Sequence, residues 1–394
     1  MSYIMALGRR NLPFEVPRYS LTGDILSFQR CPLQYRYYNG SALPPSRPVQ
    51  LWTGEFIHGV LEEAYRHWQQ CRPPFPWPCN PTPWPPPQTP LKRAKNDIGE
   101  IGDAVEARLA AAGKRPRNAN ARDIAYRRAK AAINLLGPDL FPLITDAERR
   151  ISGTRQMPQL PQQLPARGDR YELTGVVDVI SHLSMQANPQ NSLVQMLQAR
   201  CPNAPFEIII DYKAERRPPI NAPRRQYHKW QVQTYAWLLN RLPQSSPVDA
   251  AIIVYINELV PSKEDFRILQ QEVRNGSTDV IPLSGSPDYY AINRWQPGAP
   301  VPVLTDDFRI KRAIWIVDVS PKSLKTAVAQ IDSVVAQIET SAANEHFSGN
   351  IPSNWPATGL DRDCVACDFR HFCPNPAPRS SSGTRQLTAP SAPG

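Results

Sequence analysis

The sequence predicts an α/β protein with a mixed central β-sheet flanked by helices. Amphipathic helical periodicity dominates the first third of the chain, and apolar, β-branched runs of strand length dominate its centre. Two well-patterned helices, 224–239 and 322–339, alternate with those runs, which fits helices packed on a sheet. The 394 residues could form two or three domains at roughly 100–200 residues each, and no internal repeat divides them.

Taken in order, residues 1–19 are expected to be irregular. Ser20-Leu-Thr-Gly-Asp24 supplies capping residues for a short helix that leads into Cys31-Pro32. From Gly54 to Gln70 a strong helix is expected, because Phe56, Ile57, Val60, Leu61, Ala64, Tyr65 and Trp68 recur at helical spacing. Ten of the 44 prolines fall within Pro73–Pro90, so 71–96 reads as an extended insertion or linker that cannot hold a helix or a central strand. Asp97–Ala112 and Asp123–Leu136 read as helices, and Arg155–Arg167 as a Gln/Pro loop. Strands are expected at Tyr171–His182, Phe206–Lys213, Ala250–Ile256 and Ala313–Val319, with a further one at Asp265–Val273. The polar stretch 184–205 reads as a surface insertion, 350–378 as a cysteine-bearing loop region and 376–394 as a disordered tail.

Lys and Arg exceed Asp and Glu by 45 to 35, a net charge of +10, and the isoelectric point is near 9.3. Such a balance suits an anionic partner, most commonly nucleic acid, or serves solubility alone. Mean hydropathy is −0.44, no apolar run approaches the roughly 18–20 residues of a membrane helix, and MSYIMALGRR lacks the order of a secretory signal. A cytoplasmic protein without membrane association is expected.

Two carboxylates lie at the ends of predicted buried strands, where an uncompensated charge is costly. Asp178 sits in Gly175-Val-Val-Asp178, and Asp211 in Ile208-Ile-Ile-Asp211-Tyr-Lys213, where Asp211 and Lys213 share a strand face. Two aspartates and a lysine converging there would suit a hard divalent cation, with the lysine stabilising developing charge. A buried Asp–Lys ion pair is the plainer reading of the triplet by itself. Gln231 and Tyr235 are four apart on one helix, and His58 occupies the early turns of the Gly54–Gln70 helix. Glu62, one turn on, could add a carboxylate to the site, and a solvated or helix-pairing role is its plainer reading. Arg216, Arg217, Arg224, Arg225 and Lys229, with Trp230, lie between the Asp211 strand and the Gln231 helix and could grip a phosphate backbone and stack on bases. Arg127, Arg128 and Lys130 could extend that track.

Seven cysteines is an odd count, and only three cluster, as Cys364-x2-Cys367-x5-Cys373. Three close thiols need a fourth ligand to close a metal site, and His371, Cys201 and Cys31 are candidates; the spacing fits zinc or an iron–sulfur cluster. Cys71, Cys79 and Cys201 otherwise read as bystanders.

With His58, Gly175-x-x-Asp178, Asp211-x-Lys213 and Gln231-x-x-x-Tyr235 in this order, the sequence resembles the RecB/AddB-like branch of the PD-(D/E)XK nuclease superfamily, which includes the iron–sulfur exonucleases of CRISPR adaptation. The resemblance runs from about 20 to 375 and implies one restriction-endonuclease-like nuclease domain enlarged by the insertions at 71–96 and 184–205. It implies hydrolysis of DNA, as single strands or duplex ends, with Mg²⁺ or Mn²⁺ held by His58, Asp178, Asp211 and the Tyr212 carbonyl. Lys213 would be the catalytic lysine, and Gln231 and Tyr235 would line the site beside DNA. Cys31, Cys364, Cys367 and Cys373 would hold a 4Fe–4S cluster joining the two ends of the domain. Repair, recombination or CRISPR defence is implied, with a helicase or adaptation protein as partner. The chain departs from the family in having Asp211 where glutamate is usual, and in the 33-residue step from Asp178 to Asp211. A non-catalytic DNA-binding or scaffold protein on the same fold is the rival reading.

Overall fold

The computed structural model describes residues 16–40, 50–83, 93–161, 164–183, 189–198, 206–243, 245–359, 364 and 367–376. Its centre is a six-stranded mixed sheet of β1 (Arg18–Ser20), β2 (Ile144–Gln156), β3 (Arg170–Leu183), β4 (Phe206–Lys213), β5 (Val248–Tyr255) and β6 (Ile314–Asp318). The order is β1-β3-β4-β5-β6, with β2 also on β3. β4 and β5 are parallel, and the other pairings are antiparallel except β1 with β3.

β3 organises the sheet. Most of its length pairs with β2, from Ile144↔Ser181 to Gln156↔Arg170. Its opposite edge is divided, with β1 on 172–174 and β4 on 179–183. Among the described residues, none forms a strand beside 175–178 on that edge. The notch left there contains Asp178.

Helices cover both faces. The short α1 (Leu26–Arg30) and α2 (Pro32–Gly40) precede α3 (Gln50–Cys71), α4 (Ile98–Ala111), α5 (Ala119–Leu140) and α6 (Ser192–Gln198). α3 to α6 pack on one face through Phe56, Val60, Val105, Ile133 and Leu197, which meet Ile208, Ile210 and Ile252. α7 (Pro223–Leu239) crosses between the parallel β4 and β5, as a parallel pair requires. α8 (Lys263–Asn275), α9 (Pro287–Arg294) and α10 (Asp306–Ala313) follow β5, and α11 (Pro321–Ser348) and α12 (Ile351–Asn354) follow β6. On the second face α7 and α11 bury Trp230, Leu238, Ile331 and Val335 against Leu173, Val177, Ile209 and Ile253, together with α1 and α2. β4 is buried along nearly its whole length, and so reads as one apolar run without alternation.

Several expectations are corrected. Asp265–Val273 is helical, within α8: Ser262 and Asp265 form a reciprocal capping box, Gly276 ends the helix at φ 63°, and Phe266 and Leu269 pack on a small core with Ile292, Trp295 and Phe308. The 184–205 segment is not simply a surface insertion, since α6 buries Leu193, Val194 and Leu197 in the main core; Cys201 lies outside the described residues. Nor is 71–83 a free linker, because Trp77 is only 1% exposed and stacks on Phe75 against Phe141. Arg18–Ser20, expected to be irregular, forms β1, and β2 occupies a stretch with no expected strand. The tail from 377 lies outside the described residues. No helix among the described residues is long and apolar enough to cross a membrane.

Candidate active site

A cleft of about 1150 Å³ opens at the β3 notch, walled by α3 and α4 on one side and by β1, β2 and β3 on the other. Its lining includes His58, Asp178, Asp211, Tyr212, Lys213, Gln231 and Tyr235. The structure therefore brings together all the residues expected around the divalent metal.

Each is held by local structure. The Tyr212 backbone N–H donates to Asp178 Oδ2 at 2.8 Å, and His58 Nδ1 lies 3.4 Å from the same oxygen. Burial pushes the Asp178 carboxyl up to about 6, Asp211 adding to the effect and His58 and Lys213 opposing it. The Asp211 side chain is 2% exposed, and Lys213 Nζ is 2.6 Å from its Oδ2. That contact does not meet hydrogen-bond geometry, so Asp211 Oδ2 is a buried carboxylate oxygen with no hydrogen-bond partner. Lys213 Nζ donates to Gln231 Oε1 at 2.8 Å, and Gln231 Nε2 to the Tyr235 hydroxyl at 3.1 Å. The four-residue spacing on α7 thus sets a brace behind the lysine. Gly175 makes room for it, since a Cβ there would stand 2.4 Å from the Tyr235 ring. The glycine three before Asp178 is a packing requirement.

Glu148 also belongs to the site and was not foreseen. The pairs Ala147↔Val179 and Arg149↔Val177 place it across from Asp178, at a positive φ of 52°. One ligand atom each from His58, Glu148 and Asp178 lie within 4.8 Å of one another. Burial, with the charges of Asp178 and Glu62, holds the Glu148 carboxyl up at about 7. Like charges opposed across a strand pair are unfavourable without a cation. Facing carboxylates, the buried Asp211 carboxylate beside Lys213 and one imidazole make a donor set that fits Mg²⁺ or Mn²⁺, the nitrogen favouring the latter. Glu62 ion-pairs with Arg66 on α3 and borders the cleft.

The basic cluster is placed differently from expectation. Arg217 is 3% exposed and, with Arg225, pairs with Asp279; Arg217 also donates to the Ile314 carbonyl at 2.8 Å. Arg216 pairs with Glu272, Arg128 with Asp265, and buried Trp230 donates to the Ala327 carbonyl. These groups are held in internal contacts, and none of them lines the cleft. Arg224 does border the cleft, paired with Glu215, whereas Lys229 borders a separate depression with Lys322.

Cys31, Cys364, Cys367 and Cys373 line one small cavity, as free thiols. Among the residues lining it, Gln34, Tyr37 and Phe369 enclose the thiols, and His371 is not included. Four thiols are the donor set shared by structural zinc and iron–sulfur clusters. Cys71 is exposed and Cys79 partly buried, and neither lines this cavity.

No curated protein matches the chain significantly in sequence. Among solved structures, one titled "Crystal structure of SSO0001" aligns at 12% identity over 91% of this chain and 85% of that chain, with a TM-score of 0.30. A family model described as the PD-(D/E)XK nuclease superfamily matches residues 23–190 and 206–374. The matched segments take in His58, Asp178, Asp211, Lys213, Gln231 and Tyr235, and the chain belongs to the PD-(D/E)XK nuclease superfamily.

Proposed function

We propose that the protein is a metal-dependent deoxyribonuclease acting as an exonuclease. The observation that carries this reading is the meeting of His58, Glu148, Asp178, Asp211 and Lys213 in one cleft. His58, Glu148, Asp178, Asp211 and the Tyr212 carbonyl would hold Mg²⁺ or Mn²⁺. Such an ion polarises a phosphoryl oxygen and lowers the pKa of water.

The reaction proposed is attack of water on phosphorus with departure of the opposite ester oxygen. Lys213 has three donors, of which Gln231 takes one and Asp211 attracts a second, leaving one for a phosphate oxygen as its charge grows. Tyr235 keeps Gln231 in place and so fixes the direction of the lysine. The exonuclease assignment rests on the order of motifs shared with the RecB/AddB-like branch, as do repair, recombination or CRISPR defence and a helicase or adaptation partner. Arg224 and Lys229 remain candidate phosphate contacts.

The four cysteines are proposed to hold a 4Fe–4S cluster, with zinc as the alternative. Cys31 is more than 300 residues from Cys364, so metal there would tie the two ends of the domain together. The tests are separate. Linear and circular single-stranded DNA are incubated with Mn²⁺: degradation of the linear form alone supports the exonuclease, and equal cutting of the circle refutes it. Iron and sulfide analysis of anaerobically purified protein decides between cluster and zinc.

A further inference from the structure

Five cationic side chains line the cleft, and four have a carboxylate beside them: Arg18 with Glu172, Arg108 with Glu63, Lys213 with Asp211 and Arg224 with Glu215. Arg150 is exposed and, among the described residues, has no ion-pair or hydrogen-bond partner. A cation without an internal partner is available to an external anion, here beside the Glu148 and Asp178 carboxylates of the same cleft.

Its place in the sheet says where that anion would lie. Side chains two apart on a strand share a face, so Arg150 and Ser152 on β2 point the same way, and both line the cleft with Glu148. Arg150 pairs with Val176, Ser152 with Thr174, and Thr174 with Ser20 of β1. All of these line the cleft, as does Asp178 at the end of the row. The intervening residues Ile151, Leu173 and Val177 point to the opposite face and are buried there. From Asp178 to Thr174 the row is about 14 Å long at about 3.4 Å per residue. It offers the Arg150 guanidinium, the Ser152 hydroxyl and the 37%-exposed Val176. Alongside are the hydroxyls of Ser20, which accepts from the Gly23 N–H, and Thr174, which donates to the Tyr19 carbonyl. These groups suit a sugar–phosphate backbone, which donors contact without reading sequence.

We propose that this row is the track of the nucleic-acid strand leaving the metal centre, with Arg150 binding the phosphate beside the one being cut and Ser152, Thr174 and Ser20 lining the path. The assignment rests on the nuclease reading of the same cleft. Arg150 is a binding and positioning residue and stands outside the chemistry.

The experiment measures anisotropy of a labelled single-stranded oligonucleotide with metal-free protein, and in parallel the Mn²⁺-dependent cleavage of that oligonucleotide and of a dinucleotide. Arg150→Ala should weaken oligonucleotide binding roughly tenfold, as loss of a charged hydrogen bond does. The salt slope should fall by about 0.7, the single-strand value for one phosphate. KM for the oligonucleotide should rise while kcat and dinucleotide cleavage stay as in wild type. Arg150→Lys should recover part of the loss, and Ser152→Glu, at an exposed strand position, should reproduce it. Arg267→Ala, at an exposed arginine on α8, controls for net charge and should change nothing. Wild-type binding by both Arg150→Ala and Ser152→Glu overturns the track. Absence of cleavage of either substrate by wild type overturns the nuclease reading instead, and the binding comparison still decides the track.

Discussion

Gly175→Ala is the sharpest probe of how the fold positions Lys213, the lysine proposed to act in catalysis. The glycine's φ is not positive, so only space is at issue. An added Cβ would lie 2.4 Å from Tyr235 Cε1 and 3.2 Å from Cδ1, whereas carbon contacts settle near 3.5–4.0 Å. The ring must therefore retreat by about 1 Å. Tyr235 is buried, and its hydroxyl holds Gln231, which holds Lys213. Overpacking of this kind costs about 1–3 kcal/mol. At about 2.1 cal/mol/K per residue, unfolding 394 residues carries about 0.8 kcal/mol/K, so Tm should fall by only about 1–4 °C. A misplacement near 1 Å, in contrast, costs about a hundredfold in rate. The assay pairs single-turnover cleavage of end-labelled DNA with a thermal melt. A large loss of rate with a small loss of Tm is expected, and Gly175→Ala should cost little more once Tyr235→Ala has removed the ring. Wild-type turnover in Gly175→Ala would refute the reasoning, as would an equal penalty in both backgrounds.

Three other outcomes follow from the same geometry. Glu148 and Asp178 titrate near 7 and 6, above their ordinary 4.5 and 3.8, so the stability they contribute is present below about pH 4 and is lost as pH rises through 6 and 7. Melts in chelator should fall from pH 5 to pH 8, Mn²⁺ should restore them, and Glu148→Gln should flatten the fall while weakening Mn²⁺ binding at least tenfold by calorimetry; an unchanged slope and affinity would remove Glu148 from the site. Cys31→Ser should lower bound metal and Tm together, since ligation free energy is folding free energy, and wild-type metal content would point to another fourth ligand. Arg312→Met leaves buried Glu258 without its guanidinium, and Glu272 with that of Arg216 alone, and should cost about 3–5 kcal/mol in denaturant unfolding; a change under about 1 kcal/mol would show that the Arg217 N–H alone suffices for Glu258.

What was legible in the sequence was legible for a physical reason. β4 announced itself because burial on both faces demands an unbroken apolar run, and Asp211 and Lys213 stood out as charges inside it. Gln231 and Tyr235 share a face because helical spacing puts them there. β2 was hidden because its cleft-facing side chains are Glu148, Arg150 and Ser152, so ITDAERRISGTRQ shows no clean apolar alternation. Glu148 was lost with it, since only cross-strand register brings it to Asp178. The α8 sequence DFRILQQEV satisfies both periodicities, and the capping box decides for helix. The partners of the arginines after Lys213 were not legible because composition reports charge but not pairing, and Asp279 and Glu272 arrive from a distant part of the chain.

The central claim is that this cleft cuts DNA with a bound divalent ion and Lys213. The direct measurement is Mn²⁺-dependent release of nucleotides from end-labelled linear DNA by wild type and by Lys213→Ala, each shown to be folded by circular dichroism and to bind Mn²⁺. Cleavage by wild type that chelator abolishes and Lys213→Ala reduces at least a hundredfold is the expected result. Equal cutting by the two proteins, or DNA binding by wild type with no metal-dependent cleavage, would contradict it.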